Sequence, residues 1–91
     1  MATTLANVNR GQRCDVYIGR GSPFGNPYVI GQDGDRDEVI RKYKIHFEDK
    51  LRMDREFKKQ VLALKGKILG CHCTPLKCHG DIIVAFLDAP D

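Results

Sequence analysis

Three cysteines and two histidines crowd into nine positions: Cys71, His72, Cys73, Cys78 and His79. Three kinds of chemistry fit them. Thiolates and imidazoles are the usual zinc donors, so Cys71, Cys73, Cys78 and His79 offer a Cys₃His set. A C-x-C within an extended strand would put both sulfurs on one face. The spacing nevertheless departs from common zinc knuckles, whose C-x₂₋₄-C pairs are separated by a longer loop. Cys78 and His79 are adjacent, and neighbours in sequence seldom bind one ion without strain. The zinc-deaminase signature is missing, because no His-x-Glu precedes and Pro75 is not followed directly by C-x-x-C.

The second chemistry is a reactive thiolate. Cys78 falls at or just before an expected helix start and is flanked by Lys77 and His79, three influences that lower a thiol pKa. His79 would then serve in acid–base chemistry and Asp81 would orient its imidazole. A thiol-phosphatase loop would need an arginine closing it at the helix start, where this chain has Lys77 and His79. The third is binding without covalent chemistry, an anion held at the helix N-terminus beside His79. Against all three stands simple packing, since free cysteines are ordinary small core residues.

A second unusual segment is Gly19-Arg20-Gly21-Ser22-Pro23-Phe24-Gly25-Asn26-Pro27. Three glycines and two prolines exclude a helix or central strand. Gly19 and Gly21 would let the backbone approach a ligand, Arg20 supplies a planar donor fork for phosphate or carboxylate, and Ser22 and Asn26 add neutral hydrogen bonds. Neither a Walker loop nor a dinucleotide fingerprint has this spacing. A rigid turn needing positive φ explains the glycines equally well.

The elements that would position these loops follow from periodicity. Residues 3–9 and Asp15–Ile18 read as strands, Tyr28–Ile30 as a short edge strand, and Ile68–Cys71 as a short buried strand. Asp35 can cap a helix with Glu38 three residues on, and Val39, Tyr43, Phe47 and Leu51 recur every fourth residue, with Ile40 beside them. A second helix starts near Asp54 with Phe57, Val61 and Leu64 on its apolar face, Lys65 in its last turn and Gly66 as its C-terminal cap. A third spans Cys78–Leu87, with Ile82, Ile83, Phe86 and Leu87 facing the core. Two helices between strands imply a crossover and a parallel pair. The expected fold is a single small α/β domain over 1–91, with a mixed or parallel sheet and about three helices packed on it. In such a sheet both unusual loops leave the C-terminal edge, where open α/β sheets bind ligands.

Composition limits the classes. The chain has 91 residues, 42% hydrophobic and 30% charged, with 15 basic against 12 acidic side chains, a net charge of +3. A fibre and a disordered tail are excluded, and no apolar run approaches the ~20 residues of a membrane span. The mild positive charge permits an anionic or nucleotide partner and argues weakly for nucleic acid. The first residues lack the basic and apolar regions of a signal peptide, so the expected compartment is the cytoplasm.

Residues Ile18–Pro27 (IGRGSPFGNP) and Leu69–Asp81 (LGCHCTPLKCHGD), with the helix starting Asp35-Arg36-Asp37-Glu38, resemble the two hallmarks of a small family of bacteria and their phages classed as domain of unknown function 4326. The resemblance runs from about Asn7 to Leu87. His72 departs from the family pattern, which carries an aromatic residue there. The resemblance implies a compact α/β protein of a bacterial cell or phage-infected host, and no particular activity. The reading that unites these observations is an anionic-ligand, nucleotide-like pocket between loops 19–27 and 71–81. Gly19, Arg20, Gly21, Ser22, Asn26 and Cys73 would bind the ligand, and Cys78, His79 and Asp81 would carry any catalysis. The alternative is a zinc-stabilised module for protein or nucleic acid.

Overall fold

The computed structural model describes residues 2–72, 74 and 76–89. In chain order they form β1 (Thr4–Asn7), a 3-10 turn (Val8–Arg10), β2 (Val16–Tyr17), α1 (Arg36–Met53), α2 (Arg55–Leu62), β3 (Ile68–Cys71) and α3 (His79–Asp88). This is the expected α/β architecture. The sheet order is β1-β3-β2, and both pairings are parallel. Thr4 to Asn7 align with Ile68 to Cys71, and Val16 and Tyr17 align with Leu69 and Gly70.

The last strand in sequence lies in the centre, so the short link between β1 and β2 must cross it. Gly70 is the residue that permits the crossing. A Cβ there would sit 2.5 Å from Cys14 Sγ and 2.8 Å from Val8 Cγ1. Cys14 is therefore a packing residue on that face. Because side chains alternate along a strand, Leu69 and Cys71 face the opposite side, where the helices cover them.

Each helix begins at an aspartate or at Cys78. Asp35 accepts from Glu38 N at 2.9 Å, and Asp54 accepts from Phe57 N at 3.0 Å while also ending α1. Each satisfies a backbone donor that the first turn would otherwise leave free. The apolar stripe of α1 buries Val39, Tyr43 and Phe47 as its fourfold spacing predicts, with Leu51 half-buried at the end. Phe24, Phe47 and Phe57 meet around it, with ring centroids 6.0 Å apart for Phe24–Phe57 and 5.8 Å for Phe47–Phe57. Ile18, Val61, Leu64, Leu69, Ile83 and Leu87 complete the core.

Two expectations are corrected. Tyr28–Ile30 is not a strand. Val29 N donates to Asp33 Oδ2 and Asp33 N donates back to Val29 O, both at 2.8 Å, so the chain wraps into a turn and no sheet edge can use these groups. The second helix ends at Leu62 with Ala63 as its cap, before Lys65 and Gly66. Gly66 instead donates its N–H to Thr3 Oγ1, and Thr3 in turn donates from N and Oγ1 to Asp88, joining both ends of the chain.

Candidate functional site

Parallel pairing brings the ends of β2 and β3 to one edge, and the chain segments leaving them enclose a cleft of about 340 Å³. That lies at the small end of ligand pockets, roughly 300–1,000 Å³. Gly19, Arg20 and Asn26 give one wall, the turn at Tyr28–Ile30 and the start of α1 give the second, and His72 with residues 77–79 gives the third.

The charges are one-sided. Arg20, Arg36 and Lys77 line the cleft, and no aspartate or glutamate does so among the described residues. Arg36 stands in the first turn of α1, where the helix dipole disfavours a cation. Its Nη1 donates to Lys77 O at 2.9 Å, tying α1 to the segment that follows β3. Tyr28, Val29, Ile30, Val39 and Ile40 supply an apolar side.

His79 is the buried polar residue of the site, 9% exposed. Its Nε2 lies 2.6 Å from Ile18 O. A carbonyl only accepts, so Nε2 carries the hydrogen, and in the neutral ring Nδ1 is the accepting nitrogen. Burial pushes the His79 pKa below its ordinary value, and the Arg20 guanidinium adds to that effect. The Ile18 hydrogen bond and the Asp81 carboxylate oppose it. The Tyr43 ring meets the imidazole edge-on, with centroids 5.2 Å apart.

At the mouth, Tyr17 Oη lies 2.9 Å from His72 Nε2 and donates to Arg20 O at 3.2 Å. His72 Nδ1 is 2.9 Å from Asn9 Oδ1. These contacts fasten His72 and the glycine loop to the sheet edge.

Several residues singled out from the sequence work on the scaffold. Ser22 Oγ donates to Gly19 O at 2.7 Å and accepts from Phe24 N, so it closes its own loop. Gly21, at φ 95°, lies outside the cleft lining and serves the turn. Asn26 reaches the cleft but commits its side chain to Val39 O and Tyr28 N. Gly19 and Arg20 line the cleft. Asp81 does not hydrogen-bond the imidazole: its carboxylate accepts from Cys78 N at 3.0 Å and caps α3, while Ile18 O orients His79.

The thiol chemistry also changes. Cys78 caps α3 and touches the cleft, yet it is 3% exposed. Burial, and then the neighbouring Cys71, push its thiol up to about 12, against the lowering expected from the helix start and Lys77. The Cys71 and Cys78 sulfurs are 3.7 Å apart. Cys73 lies outside the described residues, and among those described no three histidine, cysteine or acidic side chains gather around a point where a metal ion could sit.

A profile of the family described as a domain of unknown function (DUF4326) matches residues 3–89. The chain belongs to that family. A relative in Enterobacteria phage T4, named an uncharacterised 12.4 kDa protein in the nrdA-td intergenic region, is 41% identical over 69 residues, covering 76% of this chain and 63% of its own length. Another, uncharacterised protein R718 of Acanthamoeba polyphaga mimivirus, is 31% identical over 91 aligned positions, covering 80% of this chain and 66% of its own. This DUF4326 chain thus spans just under two thirds of each of these curated relatives. No solved structure matches it. No helix among its described residues is long and apolar enough to cross a membrane.

Sequence reasoning missed Arg36, Tyr28 and the Val29–Ile30 turn as parts of the DUF4326 cleft. Arg36 carried one readable signal, a cation in a helix first turn where acids are favoured.

Proposed function

We propose that the cleft binds an anionic small molecule of the nucleotide class. The observation that carries this reading is the pairing of three cations, Arg20, Arg36 and Lys77, unaccompanied by a lining carboxylate among the described residues, with an apolar side of Val29, Ile30, Val39 and Ile40. The cations suit a phosphate, for which arginine forks are matched in shape. An inorganic anion alone would leave the apolar side unused, whereas a nucleoside can cover it. His79, neutral and with Nδ1 as its accepting nitrogen, suits a hydroxyl or N–H of the ligand. Cys78 enters this reading as a wall residue, because a buried, protonated thiol is a poor nucleophile.

Calorimetric titration with nucleoside monophosphates, the matching unphosphorylated nucleosides and inorganic phosphate tests the proposal. The monophosphate should bind best. Lys77→Gln should weaken it roughly tenfold, since a hydrogen bond to a charged group contributes about 1.5–3 kcal/mol and the tenfold step is ~1.4 kcal/mol. Equal affinity for a nucleoside with and without its phosphate would refute the reading, as would no binding of any of them at millimolar concentration.

A further inference from the structure

The binding reading leaves two touching thiols without a task. Cys71 Sγ and Cys78 Sγ lie 3.7 Å apart within the core, and both cysteines are free. We propose that Cys71 and Cys78 are a dithiol–disulfide couple, in which oxidation ties the end of β3 to the cap of α3 at the wall of the cleft. The proposal stands whether or not the cleft binds a nucleotide.

The two sulfurs are already in contact. A disulfide places its sulfurs about 2.05 Å apart, so an approach of roughly 1.7 Å closes the bond. Six residues separate the two cysteines in sequence. Cys14 is not a competitor by position. It packs on Gly70, on the face of β3 opposite to Cys71. Cys78 is among the residues lining the cleft and is 3% exposed against 0% for Cys71, so of the two it is the one nearer solvent.

The oxidant is a peroxide. The Cys78 thiolate attacks one peroxide oxygen, the O–O bond breaks, and the leaving hydroxide takes up a proton as water, leaving a sulfenic acid on Cys78. Cys71 then attacks that sulfur, the S–O bond breaks, and a second water leaves with the Cys71 proton. Two thiols and one hydrogen peroxide become one disulfide and two waters. The high pKa of Cys78 makes the first step slow. The contact with Cys71 makes the second intramolecular and therefore fast. A bridged Cys78 also shifts its neighbours Lys77 and His79, both of which line the cleft.

The test is prolonged incubation of the full chain with hydrogen peroxide, read by intact mass and by non-reducing tryptic mapping. Trypsin cuts after Lys77 and so separates the Cys71 peptide from the Cys78 peptide. Cys73 shares a peptide with Cys71, so a Cys14→Ser/Cys73→Ser variant identifies the partner. The proposal expects this variant to lose two hydrogens, to yield one cross-linked Cys71–Cys78 peptide pair, and to return to the dithiol with a reducing agent. If the variant does not fold, wild type must still give a Cys78 peptide bridged to the 68–77 peptide, and fragmentation must place the link on Cys71. Oxygen added to Cys78 without a bridge overturns the proposal. So does a bridge through Cys73, or a co-purifying zinc ion that shields both thiols until it is chelated.

Discussion

Folding should suppress the reactivity of Cys78. A helix start beside a lysine is an arrangement that commonly lowers a thiol pKa. Here the side chain is 3% exposed and its sulfur lies against Cys71, so ionisation would place a charge in the core next to another sulfur. The pKa rises from 9.0 to about 12, which lowers the thiolate fraction at pH 8 from about a tenth to about 10⁻⁴, a loss of roughly 10³ in alkylation rate before restricted access is counted. Pulsed iodoacetamide labelling, followed by peptide mass mapping in buffer and in urea, measures this directly. Half-buried Cys14 should label well before Cys78 in the folded protein, and the difference should vanish in urea. The rate at Cys78 should also keep rising about tenfold per pH unit beyond pH 9, where an ordinary thiol levels off. Labelling of Cys78 in the folded chain as fast as Cys14 would refute the reasoning and return Cys78 to the role of an activated nucleophile.

Other substitutions probe the scaffold. Tyr43 donates to Phe24 O at 2.8 Å inside the core, so Tyr43→Phe should cost about 1–3 kcal/mol in a urea melt by leaving that carbonyl unpaired. Gly70→Ala brings a methyl within 2.5 Å of Cys14 Sγ and should destabilise by about 1–3 kcal/mol, with part of the loss recovered when Cys14→Ala is added. His79 is held neutral, with a folded pKa below its unfolded 6.5, so the unfolded chain binds the proton first. The stability this contributes is complete above about pH 6.5 and is lost as pH falls toward the folded pKa. The urea midpoint should therefore drop between pH 7.5 and 5.5 in wild type, and drop less in His79→Gln.

The elements were legible where one local signal decided them. The fourfold spacing of Val39, Tyr43 and Phe47, with aspartates at positions 35 and 54, marks two helices without reference to the rest of the fold. The convergence of the two unusual loops was legible because parallel strands send their C-terminal ends to one edge. What the sequence hid depends on contacts between distant residues. Ser22 and Asn26 look like ligand donors until their partners, Gly19 O and Val39 O, are in view. Tyr28-Val29-Ile30 has strand composition, but Asp33 takes up the Val29 amide in a turn. Neighbours of Cys78 in sequence predict a low thiol pKa, whereas burial against Cys71, seven positions away, raises it.

The claim that the cleft is an anion site is tested most directly by amide chemical shifts of the labelled protein during titration with a nucleoside monophosphate. Shifts are predicted at Arg20, Ile30, Arg36, Lys77 and His79, saturating together and weakening as salt is raised. A spectrum unmoved at millimolar ligand would contradict the account. Shifts centred instead on the separate hollow between α1 and α3, lined by Lys44, Glu48 and Phe86, would contradict it equally.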